Sequence, residues 1–301
     1  MRRRHREGWS VGEVWGVLAA MLSSALGGTA VAATRYVASA IDPIALASFR
    51  FGIGVVLLWP LALLQRSTWP ARQDWLATIG LGLLFFALFP LLFNASLAHT
   101  TAARGALSLS TLPLLTMTAA ALLGVERLTT RKTSGVLIAM AGVALALLSS
   151  LAAAPPRALL GDLLMVGAAT CMALYSVWSR PIIRRSSPTA FTALAMAVGA
   201  AATTAISASH HQYAPVPGFN LSQWTAIAYL GVFGGAVTFF LWAFALKRTS
   251  PTLVAISVTV NPVAAALVAT QLLGEPIRWN LIAGLVTVLV GIVVATWPAR
   301  T

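Results

Sequence analysis

Acidic side chains are scarce in this chain: seven Asp and Glu stand against twenty Lys and Arg in 301 residues. That leaves little material for a hydrolytic or metal site. Cys171 is the only cysteine, which excludes an intramolecular disulfide and a cysteine metal cage. Charged residues of both signs amount to 9%, and neither a low-complexity tract nor a soluble domain fits anywhere. What fills the chain is apolar: 58% of residues are hydrophobic, with a mean hydropathy of +0.85. Such a composition excludes an ordinary soluble domain.

The apolar residues fall into ten runs, at about 11–33, 43–64, 75–97, 101–123, 134–154, 159–180, 189–209, 222–246, 251–273 and 278–297. About 20 residues rising ~1.5 Å each cross a hydrocarbon core of ~30 Å. The basic head MRRRHRE precedes a run too long for a cleaved leader, so 11–33 reads as a retained first helix. The expected fold is an all-α integral membrane protein with ten transmembrane helices. Connections are short; the longest is HHQYAPVPGFNLSQ, near 210–223.

The chain is also a duplication. Between Trp75 and Gly142 an offset of 149 carries Ser108 onto Ser257, Pro113 onto Pro262, Glu126 onto Glu275 and Gly135 onto Gly284. An offset of 145 carries Gly16, Arg35 and Pro43 onto Gly161, Arg180 and Pro188. Residues 11–154 and 155–297 are therefore expected to be two repeats of five helices, between short termini at 1–10 and 298–301. An odd helix count inserts the second repeat upside down. Charge placement gives the orientation. With the N-terminus inside, fifteen Lys and Arg fall on inner segments and four on outer ones, which satisfies the positive-inside rule with both termini cytoplasmic. A basic surface for nucleic acid would instead gather these charges on one soluble face, so no nucleic-acid partner is expected.

The candidate site residues cluster at the matched centres of the repeats. Pro113 and Pro262 lack an N–H and should free the carbonyls of Leu109 and Val258, giving two acceptors where a bound solute could sit. Ser108 and Thr111 flank one break; Ser257 and Asn261, four apart and on one helix face, flank the other. Arg50 is the only charge well inside a run. It could clamp a carboxylate through two parallel hydrogen bonds, snorkel to headgroups, or bond helix-end carbonyls. Seven of the ten tryptophans fall at segment ends, as an interfacial belt does, whereas Trp15, Trp178 and Trp242 lie deeper and could face a cavity. Tyr175 could line a cavity or bond between helices. Glu126 and Glu275 read as caps or as partners of a nearby arginine. His210 and His211 diverge by ~100° on a helix, so no metal site and no cofactor are expected.

Leu97–Thr111 with Pro113, Val125-Glu126-Arg127-Leu128 and the span from Gly135 to Gly142 recur as Leu246–Val260 with Asn261-Pro262, Gly274-Glu275-Pro276-Ile277 and the span from Gly284 to Gly291. On these residues, and on Arg50, the chain resembles the drug/metabolite transporter superfamily of the EamA type. That resemblance implies a secondary transporter of small metabolites, often an amino-acid exporter of a bacterial inner membrane, and extends to exporters of aromatic amino acids. A small-molecule substrate and a bilayer are the expected partners, with a monomer as the expected state and an oligomer as the alternative. The superfamily's small cation exporters carry a glutamate deep in their first helix. Here Glu13 lies at the mouth of that helix and Ser23-Ser24 hold its middle, which puts export of cationic drugs in doubt. A lipid-modifying membrane enzyme would need clustered acids or a His–acid pair, which the spacing does not supply. A passive channel would need a continuous polar stripe, and the broken helices argue against one.

Overall fold

The computed structural model describes residues 11–37, 40–100, 108–147, 157–264 and 279–296, and every regular element among them is helical. In chain order these are α1 (Val11–Val37), α2 (Pro43–Leu64), α3 (Trp75–Leu83, resuming at Phe89–His99), α4 (Leu112–Leu122), α5 (Thr130–Leu147), α6 (Ala158–Arg185), α7 (Pro188–Ser209), α8 (Leu221–Tyr229, resuming at Thr238–Arg248), α9 (Pro251–Ser257) and α10 (Trp279–Thr296). Each of the ten apolar runs thus contains helix. Six spans, on α1, α2, α3, α6, α7 and α8, are long and apolar enough to cross a bilayer within the described residues.

Local chemistry sets the ends. Asp42 accepts from the Ile44 N–H at 2.8 Å, with Pro43 in the first turn of α2. Ser187 accepts from the Ala190 N–H at 3.0 Å, with Pro188 in the first turn of α7. A side-chain oxygen there satisfies a donor that the first turn leaves unpaired, and proline has no N–H to lose. α6 continues five residues past its expected end because Arg184 and Arg185 fall in its last turn, where cations offset the helix dipole.

Two interruptions were not legible in the sequence. α3 passes through a π-helical segment at Leu84–Leu88 and α8 through one at Leu230–Val237. The offset of 149 superposes them. Pro90 accounts for the first, since a proline cannot donate into the turn before it. Glycines and a hydroxyl account for the second: Thr238 Oγ1 donates to the Phe233 carbonyl at 2.7 Å, five residues back. Such segments expose carbonyls to partners outside the helix.

Packing follows the repeat. Gly82 of α3 lies against Ala195 and Val198 of α7, and Gly231, its counterpart in α8, against Ile53 of α2. α5 and α10 run antiparallel through Gly135, Gly142, Gly284 and Gly291, where small residues let backbones touch. Cations gather at one end of the bundle. There Arg185 pairs with Asp74 at 2.8 Å and Lys247 donates to the Ser186 carbonyl at 2.7 Å. Glu126 binds Lys132 and accepts from the Thr252 N–H at 3.1 Å, so it caps α9. The expected cap is present, but its ionic partner is a lysine rather than an arginine. Glu275 lies outside the described residues. Gly16 packs on Arg248 and Thr249, so α1 begins at this same basic end.

Candidate functional site

A cavity of about 90 Å³ opens between α1, α2, α3, α6, α8 and the turn that follows α9. One water needs roughly 10–15 Å³ counted the same way, so the space suits several waters or a small solute. Equivalent residues of the two halves meet in its wall: Phe89 with Thr238, Pro90 with Phe239, Phe93 with Trp242, Leu109 with Val258, and Gly27 with Met172. The cavity therefore straddles the pseudo-symmetry axis. A buried aromatic cluster adjoins it and shares Phe51 and Phe239 with its wall. Phe51 packs on Phe86 at 5.2 Å, Phe85 on Phe239 at 5.3 Å, and Phe85 stacks on Tyr175 at 4.1 Å.

The polar groups of the wall are one-sided. Arg50 donates from Nη2 at 2.6 Å and Nε at 3.1 Å to a single acceptor, the Gly234 carbonyl inside the π segment of α8. Its guanidinium carbon lies 5.7 Å from the ring centres of both Phe51 and Phe239, a geometry that favours a cation over an aromatic face. Among the described residues no carboxylate pairs with it. Ser23 donates to the Thr238 carbonyl at 2.8 Å, and Ser24 meets the Ser257 hydroxyl at 2.9 Å. Two buried atoms of the wall have no hydrogen-bond partner among the described residues: Trp242 Nε1, a donor, and Asn261 Oδ1, an acceptor. A buried polar group left unpaired costs about 1–3 kcal/mol. Gly27 makes the room: a Cβ there would lie 3.0 Å from Asn261 Oδ1.

Of the residues singled out from the sequence, Arg50, Trp242 and Asn261 line this cavity. Ser257 stands one bond behind it, holding Ser24 and donating to Val254 O at 2.6 Å. The others lie elsewhere. Thr111 Oγ1 turns back to donate to the Ser108 backbone carbonyl at 2.7 Å, at the break before Pro113, and neither residue lines the cavity. Tyr175 is buried in the aromatic stack rather than in the wall. Trp178 is 47% exposed on the outer face of α6, and Trp15 is 59% exposed; one turn of depth did not decide which way an indole points. The carbonyl of Val258 is not a free acceptor. Val258–Val260 tightens to a 3₁₀ turn, and the Asn261 N–H donates to Val258, which resolves the break at Pro262 locally. The reading from sequence missed Gly27, Asn94, Thr238 and Phe239. Asn94 carried a usable signal, as an amide in the run FPLLFNASLA, because a polar side chain inside a span needs a partner or a solute.

Long apolar helices around a polar cavity shared by two pseudo-symmetric halves are the build of a membrane carrier. The sequence relatives agree. The profile of the EamA-like transporter family matches the chain twice, over residues 14–148 and 159–297, and the chain belongs to that family. It is an integral membrane protein acting on a small molecule. The uncharacterized transporter YyaM of Bacillus subtilis (strain 168) is 23% identical over 270 residues, covering 88% of each chain. An uncharacterized transporter of Archaeoglobus fulgidus is 25% identical over 283 residues, covering 92% of this chain and 96% of its own. A solved structure titled only "Crystal structure of protein" shares the fold, with a TM-score of 0.77 at 23% identity over 93% of this chain and 96% of that one.

Proposed function

We propose that this protein carries an amino acid with an apolar or aromatic side chain across a bacterial inner membrane, by alternating access around the cavity between its two halves. The observation that carries the reading is the cavity wall itself. It sets one guanidinium, held by a carbonyl alone, beside an unpaired indole N–H and an unpaired amide oxygen. The remaining wall is apolar and aromatic, with Phe51, Phe89, Phe93 and Phe239. A carboxylate answers Arg50 through two charge-assisted bonds, an ammonium answers Asn261 Oδ1, and the rings take the side chain. Ser24, Ser257 and Trp242 hold or line the floor; Ser108, Thr111, Tyr175 and Trp178 act, in this reading, through the helices they brace. The two repeats span 11–154 and 155–297 with five crossings each, both termini in the cytoplasm, and the monomer suffices. Antiparallel packing of α5 on α10 and the gathering of cations at one end support that arrangement.

Uptake by purified protein in liposomes tests this directly. Phenylalanine, tryptophan or a similar apolar amino acid is expected to enter saturably and to be competed by its neighbours in the series. Uptake of every standard amino acid at the level of protein-free liposomes would overturn the reading.

A further inference from the structure

The two halves differ sharply at one matched position. In the first, Arg50 of α2 reaches Gly234 of α8, and a Cβ on Gly234 would lie 3.2 Å from the Ala30 Cβ, 3.3 Å from Arg50 Nη2 and 3.4 Å from its Nε. Applying the repeat offsets carries Arg50 to Ala195, Gly234 to Phe85 and Ala30 to Tyr175. There the slot is full: Phe85 and Tyr175 are buried and stacked at 4.1 Å, within 20° of parallel. Two small residues thus admit a guanidinium on one side of the axis, where two rings exclude one on the other. Among the described residues that line the cavity, Arg50 is the only charge.

We infer that Gly234 and Ala30 are specificity-determining residues: they open the one slot for a cation, and the Phe85–Tyr175 stack closes its twin, so the cavity accepts one anionic group and rejects a second. This rests on the amino-acid reading for the choice of probe, though not for its logic. A second carboxylate would lose its water against rings with no cation to receive it. Gly234 matters doubly, because it supplies both the space and the carbonyl that parks the guanidinium until a carboxylate replaces it.

Calorimetric titration of the protein in nanodiscs tests this with four probes: phenylalanine, phenylacetate, phenethylamine and phenylsuccinate. Phenylalanine and phenylacetate are expected to bind. Phenethylamine, without a carboxylate, and phenylsuccinate, with two, are expected at least about tenfold weaker, the scale of one charge-assisted bond. Gly234→Ala, whose Cβ crowds Nη2 and Nε, is expected to weaken phenylacetate about tenfold while the weak binding of phenethylamine stays as it was. Phenylsuccinate as tight as phenylacetate would overturn the single-anion slot, and so would a Gly234→Ala protein that binds phenylacetate as the parent does. If phenylacetate binds but no amino acid is transported, the slot stands and the amino-acid reading falls. If phenylalanine is transported while phenethylamine binds equally well, the reading stands and the slot falls. Binding of none of the four overturns the slot.

Discussion

Gly135 and Gly291 face each other reciprocally. A Cβ on Gly135 would lie 2.7 Å from the Gly291 carbonyl oxygen, and one on Gly291 would lie 2.8 Å from that of Gly135. The offset of 149 maps Gly135 to Gly284 and Gly142 to Gly291, and a Cβ on Gly142 would lie 2.9 Å from the Gly284 carbonyl oxygen. Each glycine therefore meets the counterpart of its own neighbour, the relation that a two-fold axis between antiparallel helices produces.

Adding bulk to this seam should be costly. The clash at either position is with backbone, which cannot swing aside as a long side chain can. Gly135→Val is expected to destabilise by about 1–3 kcal/mol or more, the scale of an overpacked interior. Thermal unfolding in detergent would show this as a lowered midpoint. Gly52, with nothing within 4 Å of a built Cβ, is the control, and Gly52→Ala is expected to leave the midpoint in place. Equal midpoints for all three proteins would mean that the seam is loose.

Asn261 offers the opposite balance. Its Oδ1 has no partner among the described residues, so Asn261→Leu removes an unpaired acceptor and should not lower stability. It should still weaken substrate binding, by about 1–3 kcal/mol if the amide receives a substrate donor. Binding and unfolding measured on one preparation separate the two effects. Lost stability with unchanged affinity would make Asn261 a structural residue only.

Glu126 should matter for stability and not for affinity. It is nearly buried, pairs with Lys132 and caps α9 at the Thr252 N–H, away from the cavity. Glu126→Gln keeps a cap acceptor and loses the ion pair, while Glu126→Ala loses both. The expected order of unfolding midpoints is parent, Gln, Ala, with Ala lower than the parent by about 1–3 kcal/mol in stability. A shift in substrate affinity larger than the shift in stability would contradict this.

Which features could be read from the sequence follows from what each depends on. Helix positions and the duplication depend on composition and spacing, and residues such as Pro43, Pro188, Gly135 and Gly284 announce them; that those glycines form a seam between α5 and α10 emerges only from the packing. Arg50 was legible as an isolated charge. Its acceptor was not, because Gly234 lies on α8, 184 residues away in sequence, and only the packing of α8 on α2 brings its carbonyl to the guanidinium. Ser257 and Asn261 share a helix face, yet only Asn261 reaches the cavity wall. Ser257 is spent on Ser24 and Val254, a choice made by the neighbouring helix. The rotation of Trp178 toward the outside is likewise set by packing. Glu275 and residues 101–107 lie outside the described residues.

Alternating access makes a prediction about residues now buried. Thr34 and Ala47 line the present cavity; their counterparts are Ser179 and Thr192, whose hydroxyls are buried without partners. If the halves exchange conformations, these two should form the wall of a cavity open at the basic end. In a Cys171→Ala background, Ser179→Cys and Thr192→Cys are expected to react with a membrane-impermeant thiol reagent added on the side of the N-terminus. Thr34→Cys and Asn94→Cys are expected to react from the other side, and conditions that raise one pair should lower the other. Labelling of both pairs from one side only would rule out this exchange.

The most direct test of the central claim is counterflow. Liposomes bearing the protein are loaded with unlabelled phenylalanine and diluted into a trace of labelled phenylalanine, with and without an imposed pH gradient. Among the described residues no Asp, Glu or His lines the cavity, so none of the described wall residues takes up or releases a proton near neutral pH. Label is therefore expected to accumulate transiently to the same extent in both conditions. Arg50→Lys, which keeps the charge but loses the planar two-bond fork, is expected to need about tenfold or more phenylalanine for the same signal. Absence of counterflow in the parent protein, or an Arg50→Lys protein that matches it, would contradict transport through this cavity.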